Sequence, residues 1–208
     1  LSSGDWYLVA KTRDSYYGLI LNYYDLIRIE NNRVVEWIGI GKYALAGVYE
    51  SIINNAIQEI YFTNKYDGCY EKPEYYLLER YKRGTAFNCM RVRHIDVLQA
   101  LNHPDDPEDR GNYAKEKKWV KDNNYKWPRV MLVSNHMYFS RGVRGELVGI
   151  DYAIDPEILY GIESQYISED SSEYHKNNIE QFPKHKKIME NFVSKAAKRH
   201  KVFEQNHG

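Results

Sequence analysis

Hydrophobic and polar positions change their period several times along this chain, and each change marks an element. The run Trp6–Thr12, "WYLVAKT", carries aromatic and β-branched residues and predicts an opening strand. In the stretch that follows, "YGLILNYYDLIRIENNRVVEWIGIG", Ile27 and Ile29 alternate with Arg28 and Glu30, the period of two expected when one strand face is wet. Asn31-Asn32 splits this stretch into two strands, since asparagine tolerates the positive φ angles of a tight hairpin turn. Then Leu45, Val48, Tyr49, Ile52, Ile53, Ala56 and Ile60 recur at steps of three and four. That spacing predicts an amphipathic helix over 43–61 whose apolar stripe is covered by the sheet.

Two readings compete over 73–84. Pro73 and Gly84 fit the first helical position and the C-terminal stop of a short helix, whereas Tyr75, Tyr76 and Tyr81 favour a strand over 75–82. Residues 86–95, "AFNCMRVRHI", predict a strand, after which Asp96 and Gln99 form a capping box for the turn "VLQALN". A second hairpin is expected over 130–152, where "VMLVSNHMYFS" and "ELVGIDYAI" are joined by "RGVRG" and Gly142 and Gly145 permit the turn. Beyond Ile162 the chain is acidic and polar, "ESQYISEDSSEYHKNN", and reads as an exposed loop. The end is helical: Ile188, Met189, Phe192, Val193, Ala196 and Phe203 make a stripe over 184–204, with seven lysines and arginines against Glu190 and Glu204.

These elements place the chain in the α+β class. The expected architecture is an antiparallel sheet built from hairpins, packed against the 43–61 helix, with a C-terminal helix closing one side. Residues 1–162 form the core domain, and 163–208 add the acidic loop and the basic helix, docked on the same domain. A length of 208 residues suits one such domain.

Composition narrows the function classes. Lysine plus arginine equals aspartate plus glutamate, 29 each, which argues against a dedicated nucleic-acid binder. No run approaches the roughly 18 apolar residues of a membrane span. The basic C-terminal helix could lie on an anionic membrane surface, but a helix docked through its apolar face is the commoner arrangement. Twenty tyrosines against six phenylalanines suit sheet faces, carbohydrate or peptide grooves and protein interfaces. The start, Leu1-Ser2-Ser3-Gly4-Asp5, is of the kind a removed signal peptide leaves. Cys69 and Cys89, with no second pair to complete a zinc site, could close a loop in an oxidising compartment.

The densest candidate chemistry is "HPDDPEDRG", residues 103–111. Asp106-Pro107-Glu108-Asp109 spells a helix start, with a capping residue, proline and two carboxylates at the positive end of the helix dipole. The same word recurs as Asp155-Pro156-Glu157, which supports a structural role for both. As metal ligands, His103, Asp105 and Asp106 lack the alternating oxygen spacing of a calcium loop and a third partner for zinc. A nuclease-like pattern also passes through here, with Asp105 followed by Glu116 and Lys118 in the order P-D…E-x-K, where carboxylates hold a divalent ion that activates water. His94 and His136 are candidate hydrolase residues, and His136 alternates onto the face shared by Leu132, Ser134 and Tyr138. No G-x-S-x-G elbow accompanies them.

The reading these features favour is a non-catalytic protein-binding domain of the cell envelope, periplasmic or otherwise extracytoplasmic, such as an immunity-type inhibitor of another protein. It uses no cofactor. Glu169 and Asp170 on one side and Lys195, Lys198 and Arg199 on the other are the expected partner-binding charges. The alternative is a metal-dependent nuclease or other hydrolase working through Asp105, Glu116 and Lys118 or through His94 and His136.

Overall fold

The computed structural model describes residues 2–16, 19–45, 76–82, 86–101, 112–140, 146–164, 168 and 170–207. Among these, seven strands form one sheet: β1 (Trp6–Tyr16), β2 (Leu19–Glu30), β3 (Arg33–Leu45), β4 (Tyr76–Lys82), β5 (Ala86–Asp96), β6 (Val130–Ser140) and β7 (Glu146–Ile154). Their order is β1-β2-β3-β7-β6-β5-β4, and every neighbouring pair is antiparallel. The hairpin turn between β2 and β3 is Asn31-Asn32, with φ of 50° and 59°. Positive φ at both central residues matches the right-handed twist of the strands it joins. Short helices α1 (Val97–Leu101) and α2 (Asn112–Asp122) follow β5, α3 (Pro156–Tyr160) follows β7, and the long α4 (Pro183–His207) ends the chain.

Side chains alternate across each strand, so the register sorts them onto two faces. On one face Met90, Val92, Val130, Leu132 and Ile154 meet Ile188, Met189, Phe192 and Ala196 of α4, with Tyr174 and Ile179 filling the margin. Burying each of Ile188, Met189 and Phe192 contributes roughly 1.5–3 kcal/mol, so the stripe, more than helix propensity, holds α4 in place. On the other face Ile27, Met131, Val133 and Ala153 pack against Val97 of α1 and Val120 of α2, with Trp37, Trp119 and Trp127 partly buried beside them.

The caps follow local chemistry. The Asp96 carboxylate accepts from the Gln99 N–H at 3.0 Å and starts α1. The Asp155 carboxylate accepts from Glu157 and Ile158 at 2.9 and 3.4 Å, and Gly161, at φ 64°, ends α3 in the left-handed region where glycine carries no Cβ penalty.

The structure departs from the expected elements over 43–45 and at 172–174, where Ser172, Glu173 and Tyr174 of the expected exposed loop are buried, and it decides between the two readings over 76–82. Tyr43, Ala44 and Leu45 continue β3, all three paired with β2 and the first two also with β7, so no helix begins at 43; the rest of that predicted helix, 46–61, lies outside the described residues. The helices that cover the described sheet are therefore α1, α2 and α4. Over 76–82 the strand reading holds, since ladder bonds to β5 override the proline–glycine punctuation. The helix start expected at Asp106 lies outside the described residues, and α2 is described from Asn112.

Candidate functional site

Five strand positions line up across the α1–α2 face to make one polar row. Asp25 of β2 pairs with Gly39 of β3, Gly39 with Asp151 of β7, Asp151 with Asn135 of β6, and Asn135 with Arg91 of β5. Three of its members are bonded in series: Arg91 Nε donates to Asn135 Oδ1 at 2.8 Å, and Asn135 Nδ2 donates to Asp151 Oδ1 at 2.6 Å. At Gly39 a Cβ would stand 2.8 Å from the Trp37 ring and 3.1 Å from Asp25 Oδ1. Only glycine lets the indole lie across the row beside the carboxylate. From there Trp37 Nε1 donates at 2.9 Å to Oε1 of Glu116, which α2 carries down onto the sheet.

Glu116 is 1% exposed and Asp25 4%. Burial, and then the charge of Asp25, push the Glu116 carboxyl well above the carboxylate range, and its hydrogen bond to Asp25 favours the protonated form. The pair is thus a carboxylic acid donating to a carboxylate. Burial also raises Asp151, against the opposing pull of the Asn135 amide, Arg91 and Arg93. Tyr113 of α2 is 45% exposed overall, and its phenol is pushed up by burial at the cavity and then by the charge of Asp151.

Between this row and α1 lies a cavity of about 280 Å³. Ile95, Val97, Leu101, Met131, Val133 and Ala153 supply its apolar wall, Trp37 and Trp127 its aromatic edges, and Arg93, Tyr113, Glu116, Asn135 and Asp151 its polar end. Two buried donors on these wall residues, Arg93 Nε and Trp127 Nε1, have no hydrogen-bond partner among the described residues. A buried donor left unpaired costs about 1–3 kcal/mol.

Of the described candidate catalytic and metal-binding residues, Glu116 alone lines this cavity, and in a different role; the capping pair Asp96 and Gln99 lines it too. Lys118 lies two positions further along α2, about 200° around the helix, and its side chain is 75% exposed with Nζ 2.5 Å from Asp122. The E-x-K pair therefore shares no face, and Asp105 lies outside the described residues, as do His103 and Asp106. Among the described residues no three His, Cys, Asp or Glu side chains converge as metal ligands.

His94 and His136 share the opposite face but not a site. His94 pairs with Leu132, four positions from His136 on β6, roughly 13 Å along the strand. His136 is 3% exposed under α4. Its Nε2 is 3.0 Å from Ser134 Oγ and its Nδ1 3.3 Å from Nδ1 of His200 on α4. Burial, His200 and Arg199 lower its pKa to about 3, which keeps the ring neutral.

The expected partner-binding charges divide. Lys195, Lys198 and Asp170 are exposed, and Glu169 lies outside the described residues. Arg199 turns inward: its guanidinium lies 3.8 Å from the Tyr152 ring centroid, near buried Glu36. Glu36 itself accepts from Ser2, Tyr152 and Arg28. Burial alone would raise its pKa, and those hydrogen bonds outweigh burial and lower it. Cys89 is buried in β5, and Cys69 lies outside the described residues.

Comparison with protein-family models, with curated proteins and with solved structures finds no match to this chain.

Proposed function

We propose that the chain is a non-catalytic binding domain and that the cavity over the polar row is its recognition site. The observation that carries this reading is the cavity itself, about 280 Å³, with an apolar wall and Glu116, Asn135 and Asp151 at its polar end. Support also comes from the other face, where His136 and Ser134 meet under α4 with both residues at 3% exposure or less. A substrate would have to displace the helix to reach it.

The test is a fragment screen by ligand-observed NMR on the full chain and on Ala100→Leu, which adds volume at the cavity wall from the partly buried side of α1. Fragment signals lost in the variant, at unchanged melting temperature, support the site. Signals that survive the filled cavity place binding elsewhere and sink the reading.

A second reading rests on Glu116. A protonated carboxyl on a cavity wall beside buried carboxylates is an arrangement suited to general acid catalysis. It predicts turnover of chromogenic glycosides or esters that Glu116→Gln abolishes, and a clean panel removes it. The proposal keeps an extracytoplasmic location, for which a Cys69–Cys89 disulfide would be support: alkylation of denatured protein only after reduction is the expected result. A protein partner would meet exposed Lys195 and Lys198, and salt-sensitive complex formation lost on reversing both charges tests that contact.

A further inference from the structure

We infer that the open groove between α1 and the C-terminal half of α2 docks a protein segment in which acidic residues surround bulky apolar side chains. The inference does not rest on the cavity, because Leu98 and the lysines that carry it line the groove alone.

Short-range chemistry builds the groove. After α2 the chain turns at Asn124, whose φ of 58° is a left-handed conformation that asparagine tolerates. The Asn124 N–H donates to the Lys121 carbonyl at 3.1 Å, and the Tyr125 N–H donates to the Val120 carbonyl at 2.9 Å. The returning segment is pinned to the β2–β3 hairpin. There the Lys126 N–H donates to the Asn32 carbonyl at 3.0 Å, and the Val34 N–H donates to the Lys126 carbonyl at 2.9 Å. Lys117 Nζ donates to the Leu101 carbonyl at 3.1 Å and ties α2 to the end of α1. The walls are thus fixed in advance, and docking needs little further ordering of the backbone.

The groove has a volume of about 900 Å³. Of its apolar side chains, Val120 is buried, Leu101, Tyr125 and Trp127 are half-buried, and Leu98 is 44% exposed. Lys117, Lys118, Lys121 and Lys126 line it too, all exposed. Among the described lining residues Asp122 is the one carboxylate, so four lysines against one acid leave three positive charges in excess. Lysines on a solvated helix face are ordinary, and those in the last turn of α2 complement its carbonyl end. Neither reason covers Lys126, which lies beyond the helix, or Leu98, an aliphatic side chain exposed beside them. An apolar patch rimmed by charge is the pattern of a protein contact, with tyrosine and tryptophan as its usual anchors.

Complementarity selects the occupant. Carboxylates meet the lysines, and leucine, isoleucine or phenylalanine side chains between them cover the apolar floor. A single-stranded nucleic acid would meet the lysines but stacks its bases on ring faces, and Leu98, Leu101 and Val120 offer none. A flat anionic bilayer reaches the exposed lysines and leaves the half-buried floor uncovered. An acidic, apolar protein segment satisfies both parts of the groove.

The experiment selects phage-displayed random peptides on the full chain, with counter-selection on the variant Leu98→Ser/Lys121→Glu/Lys126→Glu. All three side chains are exposed and none lines the cavity, so the fold is expected to survive, and the melting temperature checks it. The enriched peptides should combine aspartate or glutamate with leucine, isoleucine, phenylalanine or tryptophan. A synthetic copy should bind the parent at least about tenfold more tightly than the variant, and more weakly as salt is raised. Peptides without acidic residues, binding that the variant retains, or no enrichment above the variant each overturn the inference. Oligothymidine and vesicles of phosphatidylserine with phosphatidylcholine are the competing probes. If either binds the parent more tightly than the peptides do and loses the variant, the groove belongs to nucleic acid or membrane and the inference falls. The fragment screen with Ala100→Leu reads the cavity separately, so either result stands without the other.

Discussion

The α4 face and the α1–α2 face of this sheet both bury histidines, carboxylates or amides, yet they accommodate them differently. Under α4 the polar groups are enclosed: His136 lies between Ser134 and His200 and Glu36 among Ser2, Arg28 and Tyr152, with Phe192 and Met189 in the same core. On the other face a row of polar side chains crosses the sheet and borders a cavity. Interiors are packed to crystal-like density, and a long helix with a continuous stripe achieves that on one side. Two short helices, five and eleven residues long, do not achieve it on the other. A polar contact sealed under a helix is best explained by stability, whereas a polar row that borders a cavity leaves room for a ligand.

The strongest break of that contrast is Phe192→Ala. Phe192 is fully buried at the centre of the closed face, so truncation should cost about 3–5 kcal/mol in urea or thermal unfolding. A cost near 1 kcal/mol would mean that α4 is not the element that closes its face. The next effect separates the faces by pH. His136 has a lowered pKa, so its stabilising contribution is complete above its ordinary value of 6.5 and is lost as pH falls toward about 3. Between pH 6.5 and 4.5 that amounts to about 2–3 kcal/mol. His185 adds loss of the same sign, and Glu36, also lowered, joins only below its ordinary 4.5. The variant His136→Leu should flatten this acid limb. An unchanged limb would assign it to other groups.

Local chemistry was legible in the sequence; convergence was not. Asn31-Asn32, Asp96 with Gln99 and Asp155-Pro156 act within four residues of themselves, so their turn and caps could be read from spelling alone. The α4 stripe could be read because its period is internal to one helix. The site draws Asp25, Trp37, Glu116, Asn135 and Asp151 from five elements, and only the strand register brings them together. A signal was present nonetheless. Asp25 in "YYDLIRI" and Asp151 in "VGIDYAI" are carboxylates inside apolar strands, and each lies two residues or fewer from strand positions that are buried. Conversely, the helical period at 43–45 misled because pairing on both edges of β3 outweighs a propensity of a fraction of a kcal/mol.

The third prediction reverses the sign of the second on the open face. Glu116 has a raised pKa, so its contribution is complete below its ordinary 4.5 and is lost as pH climbs through the raised value; Asp151 acts in the same sense. Glu116→Gln is an uncharged mimic of the protonated acid, able to accept from Trp37 and donate to Asp25. The variant should therefore be as stable as the parent near pH 5 and more stable at pH 8, measured by urea unfolding at both. Equal destabilisation at the two values would show that the carboxyl is not held protonated.

The smallest effect sharpens the comparison within one helix. Lys118 sits two residues from Glu116, exposed and paired with Asp122 one turn away. An exposed pair of this kind contributes little, because solvent screens the charges and two long side chains must be ordered to meet. Lys118→Ala should leave unfolding midpoint, fragment binding and any hydrolytic turnover indistinguishable from the parent, at pH 5 and pH 8 alike. A metal-dependent nuclease built on E-x-K would lose cleavage in this variant, since its lysine positions the attacking water. Glu116 and Lys118 thus give a paired test: a pH-dependent change at the first with silence at the second locates the chemistry of α2 on its buried side, while loss of cleavage at the second would move it to the solvent side and undo the distinction between the two faces.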